Sequence, residues 1–146
     1  MRGLPPGPRS ERRQTVATLA GLPTLTNCDD RELTRLADIG KVVTVPADWP
    51  LIQERTPGDT CYLILDGSAE VLTGGTVVAT LAPGALVGEI GLLDSRLRTA
   101  TVVTRTRTTL LSVGFGAMQK LLSDQPHLAD ALLADYHRRE AARTAQ

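Results

Sequence analysis

The sequence predicts a mainly β domain with flanking helices, in which short antiparallel strands form a barrel or a sandwich. Between residues 41 and 113 the apolar residues recur with the period of strands, and turn residues such as Asp66-Gly67 and Gly74-Gly75 separate the runs. On both sides of this region the period becomes helical. Only 3% of the 146 residues are aromatic. The core must therefore be aliphatic.

The first forty residues predict a leader and two helices. Residues 1–13 begin with a stretch rich in proline and glycine, which predicts a disordered leader ahead of a folded domain over residues 14–146. A first helix, which overlaps the end of this leader, is predicted over Ser10–Ala20. A second helix begins at Asp29 or Asp30, which cap it. Gly40 is expected to end it at a C′ position.

Seven short strands are predicted next, as a β-roll over about residues 41–113. Each run is bounded by glycine, proline or aspartate, the residues that favour tight turns. Residues 83–99 interrupt the series, and such an interruption is where a barrel opens to a ligand. The predicted strands are Lys41–Val45, Pro50–Glu54, Thr60–Leu65, Ala69–Thr73, Val77–Leu81, Thr99–Val103 and Thr108–Val113.

Two C-terminal helices are predicted over about residues 114–143. Phe115, Met118 and Leu121 make one apolar face at helical spacing. Gln125-Pro126 breaks this first helix, because proline cannot continue it. The second helix is predicted from His127 to Arg143.

Composition limits the function. The formal net charge is zero, so a nucleic-acid or anionic-membrane surface is not favoured. No apolar run is long enough for a membrane span. Cys28 and Cys61 fit no metal spacing and indicate reduced thiols in a cytoplasmic protein. His127 is expected at the surface, and no histidine precedes it. The sequence therefore predicts no catalytic residues, no metal, no cofactor and no enzyme activity.

The segment from Gly88 to Ala100 carries groups that suit a phosphate and a hydroxyl. Gly88 lets the backbone approach a ligand, because it has no Cβ. The N–H groups that begin the turn at Ile90-Gly91-Leu92 can point at an anion. The guanidinium of Arg98 matches phosphate oxygens. Glu89 can accept a hydrogen bond from a hydroxyl but would repel a phosphate. The ligand should therefore carry both a phosphate and a hydroxyl-bearing ring.

This segment resembles the phosphate-binding cassette of cyclic nucleotide-binding domains. Gly88-Glu89-Ile90-Gly91-Leu92-Leu93 and Arg98-Thr99-Ala100-Thr101-Val102 match the two halves of the family pattern in register. The resemblance implies an antiparallel β-roll, also described as a jelly roll or double-stranded β-helix, with N-terminal helices and two C-terminal helices. In that family the last helices swing over the site when ligand binds.

The resemblance also implies roles for the cassette residues. Arg98 would hold the cyclic phosphate, Glu89 would take the ribose hydroxyl, and Thr99 could bond the phosphate or a purine edge. Backbone N–H groups of the turn would line the same wall. The implied ligand-binding residues are Val71, Gly88, Glu89, Ile90, Gly91, Arg98, Thr99 and Ala100.

The function expected from this resemblance is a stand-alone sensor or regulatory module for a cyclic purine nucleotide. Cyclic AMP is favoured over cyclic GMP, although a threonine at position 99 is similar to both classes. The signal would pass to a protein partner or to a second copy of the chain. The alternative is a structural or dimerisation domain of the same fold that binds no ligand.

Overall fold

The computed structural model describes residues 8–53, 58–88 and 100–145. The helices are α1 Pro8–Ala20, α2 Asp30–Ile39, α3 Phe115–Asp124 and α4 Pro126–Ala145, with a short 3-10 turn at Pro23–Leu25. The strands are β1 Gly40–Val45, β2 Pro50–Ile52, β3 Thr60–Asp66, β4 Ala69–Thr73, β5 Thr76–Leu81, β6 Leu86–Val87, β7 Thr101–Thr104 and β8 Thr108–Gly114.

The strands form two antiparallel sheets of four strands each. The first sheet has the order β1-β8-β3-β6 and the second has the order β2-β7-β4-β5. Consecutive strands alternate between the sheets, except that β4 and β5 form a hairpin within the second sheet, and this arrangement is that of a jelly roll. The predicted antiparallel β-roll with flanking helices is therefore confirmed. Strand β6 was not predicted: its two residues are too few to show a period, and only its pairing with Tyr62 and Leu63 of β3 defines it.

The helices cover one face of the first sheet, and the second sheet covers the other. Along β3, Cys61 and Leu63 belong to a buried cluster shared with the helices. Ile64, between Leu63 and Leu65, belongs to a second cluster that lies between the two sheets. This alternation follows from the two-residue period of a strand. Both faces of the first sheet are buried, so β3 is apolar almost throughout.

Each of the two N-terminal helices begins at residues that favour a helix start. Helix α1 starts at Pro8, two residues before the predicted start, so residues 8–13 of the predicted leader are helical. Proline is favoured at a first helical position. Helix α2 starts with a capping box, in which the Asp29 side chain accepts from the N–H of Glu32 and the Glu32 side chain accepts from the N–H of Asp29. Leu33 and Leu36 of α2 are buried.

Helix α2 ends before Gly40, as predicted. Gly40 is the C-cap residue, one position before the predicted C′ position. Its φ is −112°, which is extended backbone, and it is already the first residue of β1. A Cβ at this position would lie 2.6 Å from the Cγ and Cδ1 of Leu111. Position 40 requires glycine, because the backbone of β1 lies so close to the buried Leu111 side chain that a Cβ at this position would overlap it.

Replacing Gly40 with alanine is expected to lower the free energy of unfolding by about 1–3 kcal/mol, because it over-packs a filled core. Gly116→Ala is the matched control, since nothing lies within 4 Å of a Cβ there. Gly116 lies in α3, so that change should be neutral or stabilise by up to about 1 kcal/mol. Urea unfolding of both variants measures the difference. Equal stability of the two would contradict this account of Gly40.

The turn between β1 and β2 is held by hydrogen bonds to the buried Thr104 and by contacts with Arg105. Asp48 has a φ of +59°, the left-handed conformation that aspartate tolerates better than most residues. Arg105 pairs with Asp48 through Nη1, at 3.2 Å, and with Glu70 of β4 through Nε. These hydrogen bonds, the one to Glu70 foremost, raise the pKa of the Arg105 guanidinium above its usual value. Arg105 therefore ties the turn to the second sheet.

The C-terminal helices pack on the helical side of the first sheet. Met118 and Leu121 of α3 and Leu128 and Leu132 of α4 are buried in the cluster that the helices share with β3 and β8. Within the ranges that the structure describes, no helix is both long enough and apolar enough to cross a membrane.

Candidate functional site

The cassette connects the two sheets. Gly88 directly follows β6 at the edge of the first sheet, and Ala100 directly precedes β7 of the second sheet. Of the predicted site residues, the structure describes these two and Val71. The remaining five, namely Glu89, Ile90, Gly91, Arg98 and Thr99, lie outside the described residues. The description of the site is therefore a description of the two ends of the cassette and of the wall next to them.

Gly88 has a backbone that only glycine accepts. Its φ is +126°, far from the regions that side chains allow. A Cβ here would also lie 3.0 Å from the carbonyl oxygen of Thr60 and 3.0 Å from the Cα of Cys61. The sequence predicted that Gly88 permits a close approach to a ligand. The structure adds a close approach to the backbone of β3, which fixes where the cassette begins.

The wall next to the cassette is apolar. Val71 lies on β4 opposite Val102 of β7 and is 5% exposed. Ala100 is also buried, and it belongs with Val71 and Val87 to the cluster between the sheets. All the buried members of that cluster are apolar. They can contact a ring or a sugar face, but the recognition of a charged group must come from other residues.

Helix α4 reaches the strand that leads into the cassette. It packs against β6 and against the 3-10 turn at Pro23–Leu25. The same turn is fixed to the approach of β6, because the Thr24 hydroxyl donates to the carbonyl oxygen of Gly84 at 3.0 Å. A displacement of β6 or of Gly88 would therefore change the packing of α4.

A second group of polar side chains lies at the start of α4. The Nδ1 atom of His127 lies 2.9 Å from Oε2 of Glu32, and the Cys28 thiol lies beside them. Burial raises the pKa of the Cys28 thiol, and the carboxylates of Glu32 and Asp29 raise it further. His127 is exposed, as predicted, but it has a carboxylate partner that the sequence did not indicate.

The prediction that the cysteines fit no metal spacing missed this cluster. Cys28 precedes the N-cap residue Asp29, and Glu32 is the third residue of α2. The short separation of Cys28 and Glu32 along the chain was the signal available in the sequence. His127 follows Glu32 by 95 residues, and only the tertiary fold brings it to the pair.

Comparison with known proteins decides the family. The model of the cyclic nucleotide-binding domain matches residues 42–125, from β1 to the end of α3, which is more than half of the chain. The chain belongs to the cyclic nucleotide-binding domain family. Gly88, Ala100 and Val71 all lie within the matched residues.

Sequence relatives agree with this assignment. This chain is 34% identical over 118 residues to a cAMP-dependent protein kinase regulatory subunit of Yarrowia lipolytica. The match covers 80% of this chain and 32% of the relative. The match to a regulatory subunit of Aspergillus niger covers 28% of that relative's length. The chain thus spans less than a third of the length of these curated relatives.

Solved structures agree with the fold. A structure described as cAMP-bound PfPKA-R superposes with a TM-score of 0.79 at 23% identity, covering 94% of this chain and 48% of that one. A cAMP-binding acyltransferase from Mycobacterium smegmatis superposes with a TM-score of 0.72 at 28% identity, covering 90% of this chain and 42% of that one. The same fold therefore occurs in the protein described as PfPKA-R and in the cAMP-binding acyltransferase.

Proposed function

We propose that this domain binds a cyclic purine nucleotide, cyclic AMP in preference to cyclic GMP, and acts as a non-catalytic sensor or regulatory module in the cytoplasm. The observation that carries the proposal is the position of the cassette sequence. It keeps both the acid and the arginine of the family motif, and it connects the two sheets of a jelly roll at Gly88, whose positive φ and close approach to β3 disfavour any side chain.

Each polar group of the cassette contacts a different part of the ligand. Arg98 holds the cyclic phosphate through charge-assisted hydrogen bonds, with help from the N–H of Ala100. Glu89 accepts from the ribose hydroxyl, and Thr99 contacts the phosphate or the purine edge. The backbone N–H groups of Gly88, Ile90 and Gly91 line the same wall, and Val71 contacts the base. The apolar surroundings of Val71 and Ala100 suit the ring.

The C-terminal helices carry the signal. Ligand binding organises the cassette, and the arrangement of α4 that makes additional contacts to the ligand becomes more populated. The packing of α4 against β6 supports this coupling, because β6 runs directly into Gly88. The output passes to a protein partner or to a second copy of the chain. Cyclic AMP named in the description of several relatives supports the choice of nucleotide.

Thermal unfolding with added nucleotides tests this proposal. At about 100 times its dissociation constant, a ligand that binds only the folded state adds about 2.7 kcal/mol to the free energy of unfolding. Cyclic AMP is expected to give that stabilisation at lower concentration than cyclic GMP. The matched control is 5′-AMP, which has the base and a phosphate but no cyclic ester. A domain that has lost its ligand would show no shift with any of the three.

A further inference from the structure

Three metal-ligating side chains converge where the N-terminal helices meet α4. Cys28, Glu32 and His127 each offer one ligand atom, and these atoms all lie within 4.8 Å of one another. They supply one sulfur, one carboxylate oxygen and one imidazole nitrogen. None of the three is among the residues assigned to the cyclic nucleotide.

We propose that Cys28, Glu32 and His127 form a binding site for a divalent metal ion of the zinc class. Zinc takes thiolate, imidazole and carboxylate ligands together, whereas calcium and magnesium prefer oxygen ligands alone. Three protein ligands leave a fourth tetrahedral position, which water can fill. With the thiol deprotonated, the two anionic ligands neutralise the charge of the ion.

The surroundings position the ligands independently of a metal. Oε1 of Glu32 accepts from the N–H of Asp29 at 3.0 Å, so the capping box of α2 holds the carboxylate in place. Such hydrogen bonds to ligating carboxylates are typical of metal sites. The Glu32 side chain is 10% exposed, whereas that of His127 is 62% exposed. One ligand is therefore fixed in the fold and one is free to adjust as the ion enters.

Two of the three ligands, Glu32 and His127, line a groove at the surface. The groove lies between the start of α2 and the start of α4, and it is lined by Asp29, Arg31, Glu32, Gln125, Pro126 and His127. A metal ion here would join the N-terminal helical layer to the first turn of α4. This site does not rest on nucleotide binding, and its test uses no nucleotide.

Cobalt titration of the full chain, reduced and freed of metal, tests the proposal. Co²⁺ substitutes for Zn²⁺ and gives a thiolate charge-transfer absorption only when a cysteine sulfur binds it. The absorption is expected to saturate at one ion per chain, and Zn²⁺ should displace the cobalt. Cys28→Ser should abolish the charge-transfer absorption. His127→Gln should weaken binding more than about a hundredfold, because the loss of even an outer partner of a metal site costs about 10–100-fold.

The matched control is His137→Gln, which removes the other of the two histidines in the chain and should leave the affinity for Co²⁺ unchanged. Circular dichroism of each variant without metal shows that it is folded. Charge-transfer absorption that persists in Cys28→Ser would overturn the proposal. So would equal Co²⁺ affinities of His127→Gln and the unmodified chain. An unmodified chain that binds neither Co²⁺ nor Zn²⁺ would reduce the cluster to the Glu32–His127 hydrogen bond alone.

Discussion

Arg98→Glu is expected to weaken the binding of cyclic AMP by more than about a hundredfold. In the proposed site, the change would remove a charge-assisted, bidentate contact to the cyclic phosphate and would place a second carboxylate near it. The lost contact alone is worth on the order of 3 kcal/mol, and about 1.4 kcal/mol corresponds to a tenfold change in affinity. Calorimetric titration of the variant with cyclic AMP measures the loss.

Arg96→Glu is the matched control for this prediction. It makes the same charge change two positions earlier in the same segment, outside the family motif. We expect its affinity to stay within a few-fold of that of the unmodified chain, because long-range charge effects are screened in salt. If Arg96→Glu loses binding and Arg98→Glu retains it, the register assigned to the cassette is wrong.

Gly88→Ala is expected to lower the free energy of unfolding by about 3 kcal/mol and to reduce nucleotide affinity as well. A φ of +126° strains any residue with a side chain. The added Cβ would also meet the backbone of β3 at two atoms, each 3.0 Å away, and backbone cannot move aside as a flexible side chain can. Relief requires β6 to shift, and that shift displaces the start of the cassette.

Gly74→Ala is the control with a milder backbone and no contact. Gly74 also has a positive φ, +57°, which lies in the left-handed region, and nothing lies within 4 Å of a Cβ there. That variant should lose only about 1 kcal/mol, the cost of a left-handed conformation for alanine. Urea denaturation and cyclic AMP titration of both variants give the comparison. Equal losses of stability in the two would contradict an additional cost at Gly88 from its φ of +126° and its contact with β3.

The strands and helices were largely predictable because periodicity and turn residues are local signals. Ala69–Thr73 was predicted at its observed bounds, since an apolar alternation between Asp66-Gly67 and Gly74-Gly75 leaves little freedom. Strand β6 was not predictable, because its two residues are defined by pairing with β3 alone. The end of α2 at Gly40 was predictable, but the contact that requires a glycine there was not, because it comes from Leu111, 71 positions further along the chain.

The candidate site shows the same difference between local sequence signals, which were predictable, and contacts between distant residues, which were not. The cassette was recognisable because its glycine, acid and arginine are close in sequence and keep a fixed spacing. The structure adds what spacing cannot show, namely the contact of Gly88 with β3 and the packing of α4 against β6. The cluster of Cys28, Glu32 and His127 was missed because its third member arrives from the far end of the chain.

The most direct measurement is a calorimetric titration of the unmodified chain with cyclic AMP, repeated with cyclic GMP. The account predicts saturable binding of one cyclic nucleotide per chain, tighter for cyclic AMP, and no competition from 5′-AMP. A purified, folded chain that produces no binding heat with either cyclic nucleotide at several temperatures would contradict it.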